Sequence, residues 1–235
     1  MIKQTTAILL FSRTDSAEKY YKPIISNGIA NSAMWDYLYK KTLRTINATG
    51  LPVIVCNEHH QAGNSFGEKM ANALNTGFAT GYDNLIVVGS DCVDLTKTIL
   101  LTAYHKINST QQIVIGPDCR GGVYVFAIKK SVFDKIVFAD FAWQTKQLFS
   151  QFKKYSDQFS VSFLSRLSDI NTEEDVHSSF NKFSIDTSWH TLLSKIFASY
   201  NTLYNFLIRI YQSAYLNSYK PLRAPPLFKL VFLGF

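Results

Sequence analysis

Two carboxylates spaced D-x-x-D, Asp91 and Asp94, directly follow an apolar run in the stretch VVGSDCVDLT at 87–96. Carboxylate oxygen is the preferred ligand of hard divalent cations such as Mg2+ and Mn2+, and a nucleotide diphosphate needs such a cation to neutralise its charge. Asp91, the first acid after the run, is the leading metal-ligand candidate. Asp94 has two open readings. It is either a second metal ligand or the N-cap of the helix that LTKTILL begins, where a carboxylate complements the helix dipole. Gly121 and Gly122 form a second feature, interrupting two strand-like runs in IGPDCRGGVYVF at 115–126. Glycine there either lets a ligand approach the backbone or makes a bulge or tight turn. Asp118, just before, is a strand-end acid at a position that turn formers also use. A third acidic stretch, SDINTEED at 168–175, suits a helix N-cap by Asn171 or Thr172 followed by a charged first turn. His59 and His60 follow Glu58, yet adjacent histidines on an extended segment point opposite ways and no third ligand has suitable spacing. Solvent exposure is expected for both.

Positioning these residues requires a frame, and the apolar periodicity supplies one. TAILLF at 6–11, LPVIVC at 51–56, NLIVVG at 84–89 and QIVIG at 112–116 are short continuous apolar runs, the pattern of strands covered on both faces. Between the first two, Met34, Leu38, Thr42 and Ile46 recur at steps of four, predicting a helix over 33–47 that Gly50 ends. Ser65 and Glu68 have capping-box spacing, and Phe66, Met70, Ala73, Leu74 and Phe78 then share one face of a second helix that ends by Gly81. Residues 96–106 predict the next helix. Later elements are a strand at 123–129, short helices at 131–137 and 143–154, and a strand at 159–164. Alternating strands and helices imply an α/β fold, a mainly parallel sheet sandwiched by helices, with ligands in the crevice at the strands' carboxyl ends.

The chain has 235 residues, 47% hydrophobic and 17% charged, enough for one substantial core and too apolar for disorder. Its three cysteines lack C-x-x-C spacing, which removes zinc and disulfide frameworks and fits a reducing cytoplasm. The opening apolar run is too brief for a signal peptide, and no run approaches the roughly 20 residues that span a bilayer. A net charge of +7 invites a nucleic-acid partner, but there is no Lys/Arg cluster, recognition-helix pattern or ribonucleoprotein-type aromatic motif, so none is expected. Five of the positive charges, Lys195, Arg209, Lys220, Arg223 and Lys229, lie in the acid-free stretch 188–235. The expected division is an α/β domain at 1–185 and an amphipathic helical extension at 186–235. From Thr191 to about Lys220, apolar residues recur at steps of three and four. That stripe would pack on the protein's own domain, form a homodimer interface, or make a peripheral contact with the inner membrane through residues 190–235.

Several segments together resemble a bacterial family of small glycosyltransferase-like proteins, long labelled a domain of unknown function, with arsenosugar-type glycosyltransferases among its relatives. The resemblance covers about residues 6–177: AILLFSR, QAGNSFGEKMANA, VVGSDCVDLT, IGPDCRGGVYVFAI, AWQT at 142–145 and SDINTEEDV at 168–176. It implies a nucleotide-diphospho-sugar transferase (GT-A) fold, with a nucleotide sugar as donor, Mg2+ or Mn2+ as cofactor and an unnamed acceptor. By the same resemblance Arg13 lies in the nucleotide-facing loop and Asp91 is the metal-contacting acid. Gly63 and Gly67 border the nucleotide site, where free helix N–H groups can face an anion. Trp143, Gln144 and Thr145 match a segment near the acceptor. The SDINTEED stretch, with Asp169, Asn171 and Asp175, also resembles the closing motif of sugar-nucleotide and molybdopterin nucleotidyltransferases, in which such an Asp or Asn reaches the metal from the opposite wall.

The chain departs from the family in two places. Arg120 stands where an acid usually precedes the paired glycines, reversing the charge at the place of an acceptor contact or general base, with Asp118 as the substitute. The first loop reads SRTDSAEKYYKP in place of a proline-glycine and lysine-threonine-arginine run, leaving Lys19 or Lys22 as stand-in phosphate contacts. Three functions follow as expectations: metal-dependent glycosyl transfer, nucleotidyl transfer, and a binding or scaffold protein that keeps the fold without turnover. The absence of glycine from FSRTDSAEK weighs against the second.

Overall fold

The computed structural model describes residues 5–181 and 188–198. Six strands form one sheet in the order β2-β1-β3-β5-β4-β6. They are β1 (Thr6–Phe11), β2 (Val53–Cys56), β3 (Asn84–Val88), β4 (Ile113–Pro117), β5 (Val123–Lys129) and β6 (Val161–Phe163). Among the described residues, the helices that accompany the strands are α1 (Asp15–Tyr21), α2 (Gly28–Asn47), α3 (Phe66–Ala79), α4 (Lys97–Ile107), α5 (Lys135–Ala139), α6 (Leu148–Ser156) and α7 (Glu173–Asn181).

The continuous apolar strands are buried on both faces because each strand alternates its side chains between two helical layers. Ala7, Leu9, Leu85, Val87, Ile113, Ile115, Phe126 and Ile128 face one layer, against Met70, Leu74 and Phe78 of α3, Phe138 of α5 and Phe152 of α6. Their neighbours Ile8, Leu10, Ile86, Val88, Val114, Val125 and Ala127 face the other, against Ile46 of α2 and Leu100, Ala103 and Ile107 of α4. The sheet is mainly parallel, as the alternation implies, with one exception. β5 runs antiparallel between β3 and β4. Its start therefore lies at the edge where the other five strands end, which brings Gly121 and Gly122 to the same rim as Asp91 and Asp118.

Local differences from the sequence expectation have plain causes. β2 reads as a buried run, yet Val55 is 39% exposed, because β2 is the edge strand and only β1 pairs with it. The first loop contains helix α1, which Thr14 caps by accepting from the Ala17 amide. Helix α2 begins at Gly28, ahead of the expected 33, because the Asn27 side chain caps it by accepting from Ile29 and Ala30. Asp94 does not cap α4; Thr96 does, accepting from the Ile99 amide.

Contacts divide the chain into two units, Met1–His190 and Thr191–Phe235. In the first, Trp189 is buried, stacks beside Tyr37 and donates through its indole to Ser179. Residues 188–198 are helical. The remainder of the long helix expected to run to about Lys220 lies outside the described residues. Among the described residues no helix is long and apolar enough to cross a membrane.

Candidate functional site

The carboxyl rim of the sheet gathers the ends of β1, β2, β3 and β4, and each contributes polar groups held by local bonds. Ser12 after β1 and Ser90 after β3 share a hydrogen bond of 2.5 Å between their hydroxyls. Glu58 after β2 accepts from the Thr14 amide and hydroxyl at 2.8 and 2.7 Å, which pins the start of α1 to the rim. Burial works against the Glu58 carboxylate, but these Thr14 bonds outweigh it and hold its pKa below the usual value.

Asp91 lies where the sequence predicts, at the mouth beyond β3. Its carboxylate is 31% exposed and meets the Lys22 ammonium at 3.0 Å. Its backbone carbonyl accepts from Ile170 at 2.9 Å, so the SDIN segment is laced to the acidic turn. This brings Asp169 into the site. Asp169 Oδ1 is withdrawn from solvent and has no hydrogen-bond partner. Burial, then the charges of Asp91 and Asp118, push the Asp169 pKa up to about 8, against a smaller opposing pull from Lys22 and a hydrogen bond with Cys92. Burial, followed by the nearby charges of Asp169, Asp91 and Asp94, raises the Cys92 thiol well above its ordinary value. Asp169 thus lies within electrostatic reach of Asp91 and Asp118, and the Lys22 ammonium bonds Asp91. The sequence leaves Asp169 and Asn171 both open as the residue that reaches a metal from this wall, and the structure turns Asp169 inward. The available signal was its place beside a buried apolar residue, Ile170, since an acid there is drawn inward.

Asn171 itself is exposed. Its amide, with that of Thr172, donates to Asp175 Oδ2, while the Thr172 hydroxyl accepts from the Asp175 amide. This reciprocal box caps α7, so the backbone of Asn171 serves the helix end. Asp94 is half-buried, and its carboxylate makes no ion pair or hydrogen bond among the described residues. No group of three or more His, Cys, Asp or Glu side chains among the described residues forms a ready metal cage.

Asp118 closes a turn. Its Oδ1 accepts from the amides of Arg120 and Gly122 at 2.7 and 2.6 Å, and its amide donates to the Gly122 carbonyl at 3.0 Å. A Cβ on Gly122 would sit 2.5 Å from Asp118 Oδ2, so the second glycine makes room for the carboxylate. Gly121 adopts φ +90° and lies against the backbone of Lys146. Arg120 reaches across the rim to Asp175 and, at 3.4 Å, to the Thr172 hydroxyl. The charge reversed at this position is matched by an acid on α7.

The other expected contacts are placed as follows. Arg13 pairs with Glu18 at 3.1 Å and lies 4.5 Å over the Tyr21 ring. Gly63 packs against Glu68 and Lys69 at the start of α3, where Ser65 accepts from the Glu68 amide and Glu68 accepts from the Asn64 amide. Of the first amides of that helix, the Glu68 amide is thus engaged by the Ser65 side chain. Gly67 is buried against α5: a Cβ there would lie 2.0 Å from the Ala139 carbonyl oxygen and 2.9 Å from Trp143. Trp143 donates to the Phe138 carbonyl at 2.6 Å and packs within a cluster of phenylalanines. Gln144 has φ 62° and takes the third position of the turn that the Thr145 amide closes on Ala142. His59 and His60 are exposed, as expected.

The Gly67 contact makes a direct prediction. Gly67→Ala forces α3 away from α5 and costs about 1–3 kcal/mol in urea unfolding. Gly28→Ala, which meets nothing within 4 Å, serves as the control and changes stability by no more than about 0.5 kcal/mol.

Comparison with known proteins places this geometry. Residues 40–145 match the model of a family described as an uncharacterised protein conserved in bacteria, DUF2064. No curated protein matches the chain. Among solved structures, a protein from Desulfovibrio desulfuricans G20, proposed to be a nucleotide-diphospho-sugar transferase, superposes with a TM-score of 0.71 at 20% identity, over 83% of this chain and 96% of that one. The 4-diphosphocytidyl-2C-methyl-D-erythritol synthase of Anaerococcus prevotii gives a TM-score of 0.46 at 10% identity, over 73% and 94% of the two chains. The Rv0371c protein of Mycobacterium tuberculosis in complex with manganese gives 0.41 at 14% identity, over 75% and 97%. These last two are too distant to inform the site. The chain thus carries, over residues 40–145, the match to the bacterial family DUF2064, within a fold of the nucleotide-diphospho-sugar transferase type.

Proposed function

We propose that the protein is a metal-dependent glycosyltransferase that takes a nucleotide-diphosphate sugar as donor. The observation that carries this reading is the orphaned, buried Asp169 Oδ1, close enough to Asp91 to feel its charge, at the crevice where open α/β sheets bind their ligands. Burial first, and then the neighbouring negative charges, disfavour the ionised Asp169, and a divalent cation would offset both. The donor set of the two acids fits Mg2+ or Mn2+, which bind through one or two carboxylates and complete their shell with water and substrate phosphate, so no all-protein cage is required. Asp91 and Asp169 would hold the ion, with Asp94 the nearest further acid along the chain. When bound, the ion supplies charge neutralisation for the departing diphosphate. The chain's own part is positioning. Glu58 and Thr14 fix the first loop, Ser12 and Ser90 join β1 to β3, and the Asp118 turn sets the rim on the acceptor side, where Arg120 and Trp143 are assigned. Gly121 and Gly122 keep the backbone low there.

A second reading is a binding protein without turnover. It is favoured by the internal pairing of both candidate arginines, Arg13 with Glu18 and Arg120 with Asp175. Calorimetric titration with UDP- and GDP-sugars, with and without Mn2+, separates the two. Metal-dependent binding with slow sugar-nucleotide hydrolysis that is lost in Asp91→Ala supports transfer. Binding with no hydrolysis supports the second reading, and preference for a nucleoside triphosphate points to nucleotidyl transfer. Binding and turnover unchanged in Asp91→Ala would remove the metal assignment.

A further inference from the structure

The Lys22 ammonium is bonded to Asp91 beside Asp169 at the carboxyl rim. It pairs with Asp91 at 3.0 Å, lies 5.3 Å over the Trp35 ring and lowers the charge cost at Asp169. It lies 69 positions from Asp91 along the chain, and its backbone is anchored separately. The Lys22 amide closes α1 on the Glu18 carbonyl, and its carbonyl accepts from the Trp35 indole at 3.0 Å. Trp35 is buried, so the point from which the side chain departs is rigid. The Lys22 side chain is only 25% exposed, in a setting where a charge pair is screened less than on an open surface.

We propose that Lys22 is the resident cation of this site, competing with a divalent ion for the Asp91 carboxylate and thereby setting the cation affinity. The inference rests on the metal reading above. An ammonium within hydrogen-bond reach of Asp91 occupies one of its two oxygens and repels a second cation at the same carboxylate. A divalent ion held by Asp91 would require Lys22 to leave that carboxylate, and the freed ammonium would remain available to an anionic ligand. Cation binding and displacement of Lys22 are one exchange. Affinity for the metal alone is therefore weak, and rises when an anionic ligand gives Lys22 a second partner.

The test measures Mn2+ binding to the full chain by electron paramagnetic resonance, without any substrate. Lys22→Gln removes the charge and keeps the backbone bonds to Glu18 and Trp35. It is expected to bind Mn2+ about tenfold more tightly than the wild type. Lys22→Arg, which keeps the charge, should match the wild type, and thermal unfolding checks that both variants are folded. Asp91→Asn in the Lys22→Gln background should lose the tight binding. Equal affinity in wild type and Lys22→Gln, with loss in Asp91→Asn, overturns the competition and leaves the metal reading standing. No Mn2+ binding in either wild type or Lys22→Gln overturns both.

Discussion

Asp169→Asn is expected to shift the balance of stability towards the variant, relative to wild type, by about 3 kcal/mol between pH 5 and pH 8. The sign follows from the raised pKa. An aspartate in the unfolded chain titrates near ~3.9, whereas the native Asp169 carboxyl is pushed up to about 8 by burial and by the charges of Asp91 and Asp118. Across that interval the native state holds a proton that the unfolded state has released, so wild-type stability falls as pH rises, until the native carboxyl also ionises. Asparagine carries no charge at any pH and shows no such fall. Any fixed cost of burying its amide cancels in the difference between the two pH values. The full shift is discounted for solvent that reaches the less buried part of the residue. Urea unfolding of both proteins at pH 5 and pH 8 measures the change. If it is below about 0.5 kcal/mol, Asp169 is already ionised at pH 5, and its burial beside Asp91 and Asp118 is not as described.

Phe138→Ala should cost about 3–5 kcal/mol and lower the melting temperature by roughly 10 °C. Phe138 is fully buried. Its ring meets those of Phe126, Phe133, Phe141, Trp143, Phe152 and Tyr155 at centroid distances from 4.8 to 6.5 Å. Truncation leaves a cavity among large rings that cannot close without moving α5 and α6 together. Because the Phe138 carbonyl also holds the Trp143 indole, the same variant should loosen the 142–145 turn, visible as a red shift and broadening of tryptophan fluorescence. A loss below about 1 kcal/mol would mean that the cluster repacks around the gap, and would remove its claim to fix Trp143.

Both predictions concern residues that local patterns flagged poorly. Phe138 belongs to a five-residue helix, too short for a periodicity to show. The aromatic spacing from 133 to 155 gives no stripe, because the rings come from two short helices and a turn that only packing brings together. Gly67 and Trp143 were read as ligand neighbours on their positions in resembling segments. Their contacts with α5 follow from the approach of two helices, which chain spacing does not encode. Capping, by contrast, was legible wherever the bond is local. The Ser65 and Glu68 box stands as its spacing indicates, and the Thr172 to Asp175 box is the local reading of SDINTEED. Thr96 prevailed over Asp94 at α4 because the cap must sit directly before the first helical turn, and two intervening residues place Asp94 too far back.

The strands, most of the helices, the α/β class and the placing of Asp91 at a strand's carboxyl end were determined by sequence alone. Each depends on a period or a run within one segment, and a backbone has few ways to bury such a pattern. Three things were decided only in three dimensions: the antiparallel insertion of β5 that carries the glycines to the acidic rim, the burial of Asp169 opposite Asp91, and the reach of Lys22 to the same carboxylate. Each joins residues far apart in the chain. Electrostatic energy depends on distance and exposure in space, and neither can be read from the order of residues.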